Sequence, residues 1–127
     1  MRNLVAIAMV VFFSAFANQG QAQSLKNTAW KFYVEALHDT LVMHYGGSDT
    51  SFCSTVVGET VVRSVYKIDK DTIKVTDFDG QYYCPNGEGV YKFAVDGDNL
   101  SFTLVNDPCP NRAEALVNVK FKKTAAK

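Results

Sequence analysis

The chain has 127 residues, of which 47% are hydrophobic and 13% aromatic, which is enough for one domain with a hydrophobic core. Its 13 basic and 13 acidic residues cancel, so there is no cationic surplus to bind a phosphate backbone. Composition and charge therefore argue against a nucleic-acid partner.

Residues 1–22 have the three-part pattern of a secretory signal peptide. Met1–Asn3 carries one positive side chain, and Leu4–Phe16 is an uncharged apolar run of 13 residues. That run is too short to cross a bilayer as a helix, which takes about 20 residues. Small and polar residues follow, and they predict cleavage after Ala22, with cleavage after Ala17 as the alternative.

The predicted mature protein is a single domain, residues 23–127, that is secreted or periplasmic and has no membrane span after cleavage. All three cysteines of the chain lie in it. Export into an oxidising compartment makes a disulfide the default expectation, and the odd number predicts that one cysteine stays unpaired.

From Trp30 onward, apolar residues alternate with polar ones, and turn residues interrupt the alternation roughly every ten residues, which predicts short antiparallel strands. The predicted strands of the first half are Trp30–Glu35, Leu41–Tyr45, Thr50–Thr55, Thr60–Ile68 and Thr72–Phe78.

The second half contains the clearest hairpin. Tyr91–Val95 and Leu100–Leu104 alternate on either side of Asp96–Asn99, and the Asp-Gly pair in that turn supplies the backbone angles that tight hairpins favour. A last strand is predicted over Leu116–Lys122, preceded by one short helical turn at Ala113–Leu116.

Seven or eight strands in a domain of this size can form a barrel or a two-layer sandwich. One hairpin follows another without a long crossover, which favours an up-and-down barrel that leaves no free strand edges. We therefore predict an all-β fold: a single antiparallel meander barrel of about eight strands, with the sandwich as the alternative.

The hairpin also predicts which cysteines pair. A turn centred on Gly97 and Asp98 places Cys84 opposite residue 111, two positions from Cys109, within the Cα separation that a disulfide tolerates. We predict the bridge Cys84–Cys109 and a free Cys53. Pairing of Cys53 with either of the others is the alternative.

Metal binding is not predicted. Cys53, Cys84, Cys109 and His44 could in principle hold zinc, but no CxxC or HxxxH spacing is present, and thiols of an exported chain are usually oxidised. No cofactor is predicted either.

The sequence does not predict an enzyme. It has no glycine-rich phosphate loop, nucleophile elbow or HExxH motif. Asp77, Asp79 and Glu88 lie close together in sequence, but each is at a turn or strand end, where acidic residues serve turn geometry and solvation.

The segment Asp107–Arg112 is the most distinctive stretch. Pro108 and Pro110 fix the backbone around Cys109 and prevent a strand there. Arg112 is predicted to close the barrel end by pairing with Asp107 and bonding free carbonyls. Alternatively, Arg112 holds an anionic group of a ligand at the barrel mouth.

The order of several short motifs resembles small bacterial lipocalin-like proteins of the calycin group, over roughly Leu25 to Lys123. The motifs are Trp30, Tyr66-x-Ile68, Ile73-x-Val75-x-Asp77, Gly89-x-Tyr91-x-Phe93, Leu100-x-Phe102 and Asp107-x-Cys109-x-x-Arg112. In that family a glycine usually stands two places before the tryptophan, where this chain has Thr28. The basic residue that covers the indole in the family would be Arg112 or Lys122 here.

The resemblance implies a binding protein for a small hydrophobic molecule, held inside or at the mouth of the barrel. The residues expected to contact that ligand are Trp30, Phe32, Met43, Tyr66, Tyr91, Phe93, Phe102 and Arg112. These large side chains would equally suit a core without a cavity, because an eight-stranded barrel is just wide enough for its own side chains.

The alternative function is a protein-binding module stiffened by a disulfide, such as an inhibitor of a secreted hydrolase. Its contact surface would be a loop or the arm Gln23–Thr28, and its partner a secreted protein.

Overall fold

The computed structural model describes residues 24–126; the predicted signal peptide and its cleavage site lie outside them. These residues form eight strands, one α-helix and a 3-10 turn, Glu35–Leu37. The strands and the helix are β1 (Thr28–Val34), β2 (Asp39–Tyr45), β3 (Thr50–Thr55), β4 (Thr60–Asp69), β5 (Thr72–Asp79), β6 (Gly89–Asp96), β7 (Asn99–Asn106), α1 (Pro110–Val117) and β8 (Phe121–Thr124).

The sheet is a closed meander barrel, as predicted. Each strand pairs antiparallel with the next, and β8 returns to β1, where Trp30 lies opposite Lys123. Closure gives every strand two neighbours, so the meander leaves no edge that could pair with another chain. The sandwich alternative is wrong.

The β6–β7 hairpin turns where the sequence predicted. Asp96 pairs with Asn99 across the two-residue turn Gly97–Asp98, and Gly97 has a φ of 59°. A residue without Cβ adopts such a positive φ at little cost, which is why this turn contains glycine.

The last predicted strand, Leu116–Lys122, is wrong except for its last two residues. Residues 116 and 117 are the end of α1, and β8 starts only at Phe121. Pro110 occupies the first helical position, where its fixed φ suits the helix and its missing N–H is not needed. Leu116 is buried, so the apolar alternation in this stretch reflected a helix face packed on the barrel.

The two ends of the barrel differ. At one end, which we call the closed end, the segment before β1 packs against the barrel, and Leu25 is fully buried. At the other, the open end, lie the 3-10 turn, loop 80–88 and α1. The loop crosses the start of β4, where Tyr82 donates a backbone hydrogen bond to Val61 over 3.0 Å.

One side of the barrel interior is filled with aromatic rings. The Phe121 ring stacks on Phe32 at a centroid distance of 4.4 Å and meets Phe102 edge-on at 5.2 Å. Trp30 is buried beside them, and its indole N–H donates to the Thr28 hydroxyl over 2.8 Å. We call the four buried residues Trp30, Phe93, Leu100 and Phe121 the filled side.

The basic residue beside the indole is neither of the two expected ones. Lys123 has its Nζ 6.0 Å from the centroid of the Trp30 ring. Register explains the difference, because Lys123 lies directly opposite Trp30 on the neighbouring strand, whereas Lys122 pairs with Lys31. Arg112 is engaged at the open end.

Candidate functional site

The barrel contains a cavity of about 390 Å³. It reaches the surface at the open end, where the exposed side chains of Glu35, Tyr82 and Glu114 stand around it. Its wall consists mostly of apolar side chains, among them Phe32, Leu41, Met43, Ile73, Val75 and Phe102.

Small side chains on two adjacent strands create the space. Ser51 and Cys53 on β3 and Val62 and Ser64 on β4 line the cavity. Ser51 lies opposite Ser64 and Cys53 opposite Val62 on the paired strands, so four short side chains are neighbours in the cavity wall. A water-sized or larger void remains where one side of a barrel carries small residues.

The structure brings together five of the eight residues that the sequence suggested for ligand contact. The five that line the cavity are Phe32, Met43, Tyr91, Phe102 and Arg112. The other three pack elsewhere in the interior. Trp30 and Phe93 belong to the filled side, and Tyr66 meets Tyr45 edge-on at 5.1 Å, with its hydroxyl donating to the Gly46 carbonyl over 3.3 Å.

Sequence reasoning missed the polar part of the wall. Ser51, Ser64 and Asp77 all line the cavity, although Asp77 looked like a strand-end residue turned to solvent. The available signal was the alternation itself, because Ser64 and Asp77 occupy the same inward phase as Tyr66 and Val75 on their strands.

Arg112 is held against Asp107 by a two-pronged hydrogen bond. Its Nε donates to Asp107 Oδ2 and its Nη2 to Oδ1, each over 2.8 Å, and Nη2 also donates to the Gly87 carbonyl. The Tyr91 hydroxyl donates to the same carboxylate. Gly89 leaves the room that this requires, since a Cβ there would lie 2.6 Å from Asp107 Oδ2.

A second carboxylate lies on the other side of the guanidinium. Asp77 accepts a hydrogen bond from the Ser64 hydroxyl over 2.6 Å, and its Oδ2 is 3.5 Å from Arg112 Nη1. The three charged side chains are buried, with exposed fractions of 8% for Arg112, 5% for Asp77 and 0% for Asp107. Arg112 Nη1 is buried and has no hydrogen-bond partner.

The predicted disulfide is present and binds both carboxylates through its backbone. Cys84 and Cys109 are bonded, with Cα atoms 6.3 Å apart. The Cys84 amide donates to Asp77 over 2.9 Å, and the Cys109 amide donates to Asp107 over 2.8 Å. The bridge therefore fixes the two anions on either side of Arg112.

These contacts keep Asp107 and Arg112 charged. Burial alone would raise the pKa of Asp107, but the hydrogen bonds from Arg112, Tyr91 and the Cys109 amide hold it below its ordinary value. Burial would lower the pKa of Arg112, and its bonds to Asp107 with the charge of Asp77 raise it instead. Burial and the bond to Asp107 raise the pKa of Tyr91, which stays a neutral donor.

The free thiol of Cys53 also faces the cavity. Burial, and to a lesser degree the charge of Asp77, raises its pKa to about 12. The thiol is therefore protonated at neutral pH and is a poor nucleophile. His44 has the opposite phase on β2 and stacks on Phe52 at 4.3 Å, with Nε2 3.1 Å from the Ser54 hydroxyl.

Within residues 24–126 no three histidine, cysteine or carboxylate side chains are grouped so that they could hold a metal ion. In the same part of the chain no helix has both the length and the apolar character needed to cross a membrane.

Comparison with known proteins finds no matching family model, no similar curated protein and no similar solved structure. The barrel architecture is consistent with a lipocalin-like protein, and membership of the calycin group stays a proposal.

Proposed function

We propose that this protein is an exported, lipocalin-like binding protein that holds a small hydrophobic molecule in its barrel. The observation that carries the proposal is the cavity of about 390 Å³ inside the meander. That volume lies in the range of about 300–1,000 Å³ that is typical of small-molecule sites.

The wall chemistry supports an apolar ligand. The side chains of Leu41, Ile73 and Phe102 have no hydrogen-bonding groups. A hydrophobic molecule therefore gains about 25 cal/mol of binding free energy for each Å² of apolar surface that it buries there. The closed barrel is a stiff frame, and a preformed site costs little ordering on binding.

Export is supported by the pattern of residues 1–22 and by the disulfide, which suits an oxidising compartment. The order of sequence motifs together with the closed eight-stranded meander supports the calycin-type assignment.

We propose binding and not catalysis, because the buried groups of the cavity that could act as nucleophile or base are paired or protonated. Ser64 donates to Asp77, Arg112 is paired with Asp107, and the Cys53 thiol is protonated at neutral pH. None of these groups is arranged as a nucleophile beside a base.

The experiment compares a substitution that fills the cavity with the same substitution on the outer surface of the barrel. Val75 lines the cavity, whereas Val65 is 40% exposed on the outer surface of β4. We expect Val75→Phe to weaken binding of N-phenyl-1-naphthylamine, a neutral fluorescent probe, at least about tenfold, and Val65→Phe to leave it unchanged.

Native mass spectrometry of the protein recovered from its host should show a bound small molecule in the wild type and in Val65→Phe but not in Val75→Phe. A wild-type protein that is always empty and binds no apolar probe would refute the proposal.

A second function is favoured by apolar side chains exposed around the open end. Val57 is 88% exposed and Phe78 56%, and Tyr82 and Tyr83 are nearly half exposed. Exposed apolar patches often mark protein contacts, as in an inhibitor of a secreted hydrolase. If the protein captures and inhibits a secreted hydrolase of its host, Phe78→Ser should abolish that inhibition, and Val75→Phe should not.

A further inference from the structure

The polar end of the cavity carries an unused hydrogen-bond donor. Three nitrogens form the guanidinium of Arg112, and Nε and Nη2 are both bonded, while Nη1 is buried without a hydrogen-bond partner. The Arg112 side chain lines the cavity and is 8% exposed, so it is 92% buried. The nearest acceptor, Asp77 Oδ2, is 3.5 Å away, which is an ion-pair contact longer than a normal hydrogen bond, so an oxygen placed beside Nη1 is favoured because it gives this buried donor a hydrogen bond.

The charge around this donor decides what kind of oxygen fits. Arg112 lies between Asp107 and Asp77, so the cluster of three has a net charge of minus one. Glu35 and Glu114 also line the cavity, and Arg112 is the single cationic side chain among the described lining residues. The cationic charge is therefore already neutralised, and the remaining charge is negative.

Asp77 is close enough to Arg112 Nη1 for its negative charge to act on a ligand oxygen bound there. Asp77 Oδ2 is 3.5 Å from Arg112 Nη1, so an oxygen that accepts from Nη1 lies within about 6 Å of that carboxylate at normal hydrogen-bond length. A second carboxylate at such a site is repelled, because like charges in a partly buried environment disfavour each other's ionised form. A carbonyl or hydroxyl oxygen accepts the same hydrogen bond without that repulsion.

We propose that the ligand is an uncharged amphiphile whose carbonyl or hydroxyl oxygen accepts a hydrogen bond from Arg112 Nη1, and that the cavity discriminates against carboxylates such as fatty acids. This rests on the proposed function, and it reverses the expectation that Arg112 holds an anionic ligand group. The apolar part of the ligand lies along Met43, Ile73 and Phe102.

The test uses two probes that share one alkyl chain. Decanol and decanoate compete with N-phenyl-1-naphthylamine at neutral pH, where decanoate is ionised. We expect decanol to bind about tenfold more tightly than decanoate. Equal affinities, or tighter binding of decanoate, would overturn this inference and leave the binding function intact.

Two variants connect the preference to the charges. Asp77→Asn removes the nearest negative charge, so decanoate should gain about tenfold in affinity and decanol should change little. Glu114→Gln, which alters an exposed side chain and leaves the buried cluster untouched, should shift the ratio in the same direction by less. The control is Glu88→Gln, an exposed residue of the same end that does not line the cavity, and it should leave the ratio unchanged.

The outcomes separate the two proposals. If no probe binds the wild type, the binding function fails and the inference with it. If both probes bind but neither Asp77→Asn nor Glu114→Gln changes the ratio of decanol to decanoate affinity, the charge argument is wrong while the cavity remains a binding site.

Discussion

The filled side and the cavity side of this barrel are built from the same meander but from side chains of different size. On the filled side, Trp30, Phe93 and Phe121 belong to one buried core cluster and are almost fully buried. On the cavity side, Ser51, Cys53 and Ser64 occupy equivalent inward positions and leave space. The comparison teaches that alternation decides which residues point inward, and that side-chain volume then decides whether the interior is packed or hollow.

The first prediction breaks this contrast at its strongest point. Trp30→Ala should cost about 4–5 kcal/mol of unfolding free energy, because a large ring is removed from a close-packed region. Met43→Ala should cost about 2 kcal/mol or less, since Met43 already borders empty space. Urea unfolding followed by tyrosine fluorescence measures both, and equal costs would contradict the division into two sides.

The second prediction concerns the ionic part of the cavity wall. Arg112→Met should cost about 3–4 kcal/mol, because it leaves two buried carboxylates without their counter-charge. Arg63→Met is the matched control, since Arg63 pairs with Asp79 on the surface at 3.9 Å, and it should change stability by less than about 0.5 kcal/mol. A small effect of Arg112→Met would mean that the pair is not buried in solution.

The third prediction sharpens the role of Asp107 through pH. Burial would raise the folded-state pKa of Asp107, but the hydrogen bonds from Arg112 and Tyr91 lower it. Its contribution to the unfolding free energy is therefore complete above the unfolded pKa of about 4 and is lost as pH falls through the folded value. Asp107→Asn should therefore destabilise the protein at neutral pH and flatten the loss of stability on acidification. Unchanged acid sensitivity in this variant would assign the effect to other groups.

The fourth prediction concerns the reactivity of the Cys53 thiol on the cavity side and needs no substitution. Cys53 is buried with a pKa of about 12, and Cys84 and Cys109 are bonded to each other. A thiol reagent at mildly alkaline pH should find almost no reactive thiol in the native protein and one per chain after unfolding in guanidinium. Two or three thiols in unreduced, unfolded protein would contradict the bridge.

The fold was largely predictable because its signals are local. Alternation located the strands, and the Asp-Gly turn fixed the register that brings Cys84 near Cys109. The failure at Leu116 has the same origin, because an apolar helix face and a strand face look alike over a few residues. Only Pro110, at the first position of the helix, distinguishes them.

The site was less predictable, because it depends on relations between strands that are distant in sequence. Register shifts occur between Cys53 and Ser54 and between Arg63 and Ser64, and sequence alone does not give them. Such shifts determine how far each inward side chain lies along the barrel axis. Position along the axis also separates residues of the same phase: Trp30 and Phe102 both point inward, but only Phe102 lines the cavity.

The cystine has a practical consequence for anyone producing this protein. Because both of its amides orient the carboxylates around the guanidinium, a preparation made in a reducing cytosol would have a loosened cavity entrance as well as a less stable chain. Tests of the proposed ligand binding on such material would examine a distorted cavity, so periplasmic expression or oxidative refolding should come first.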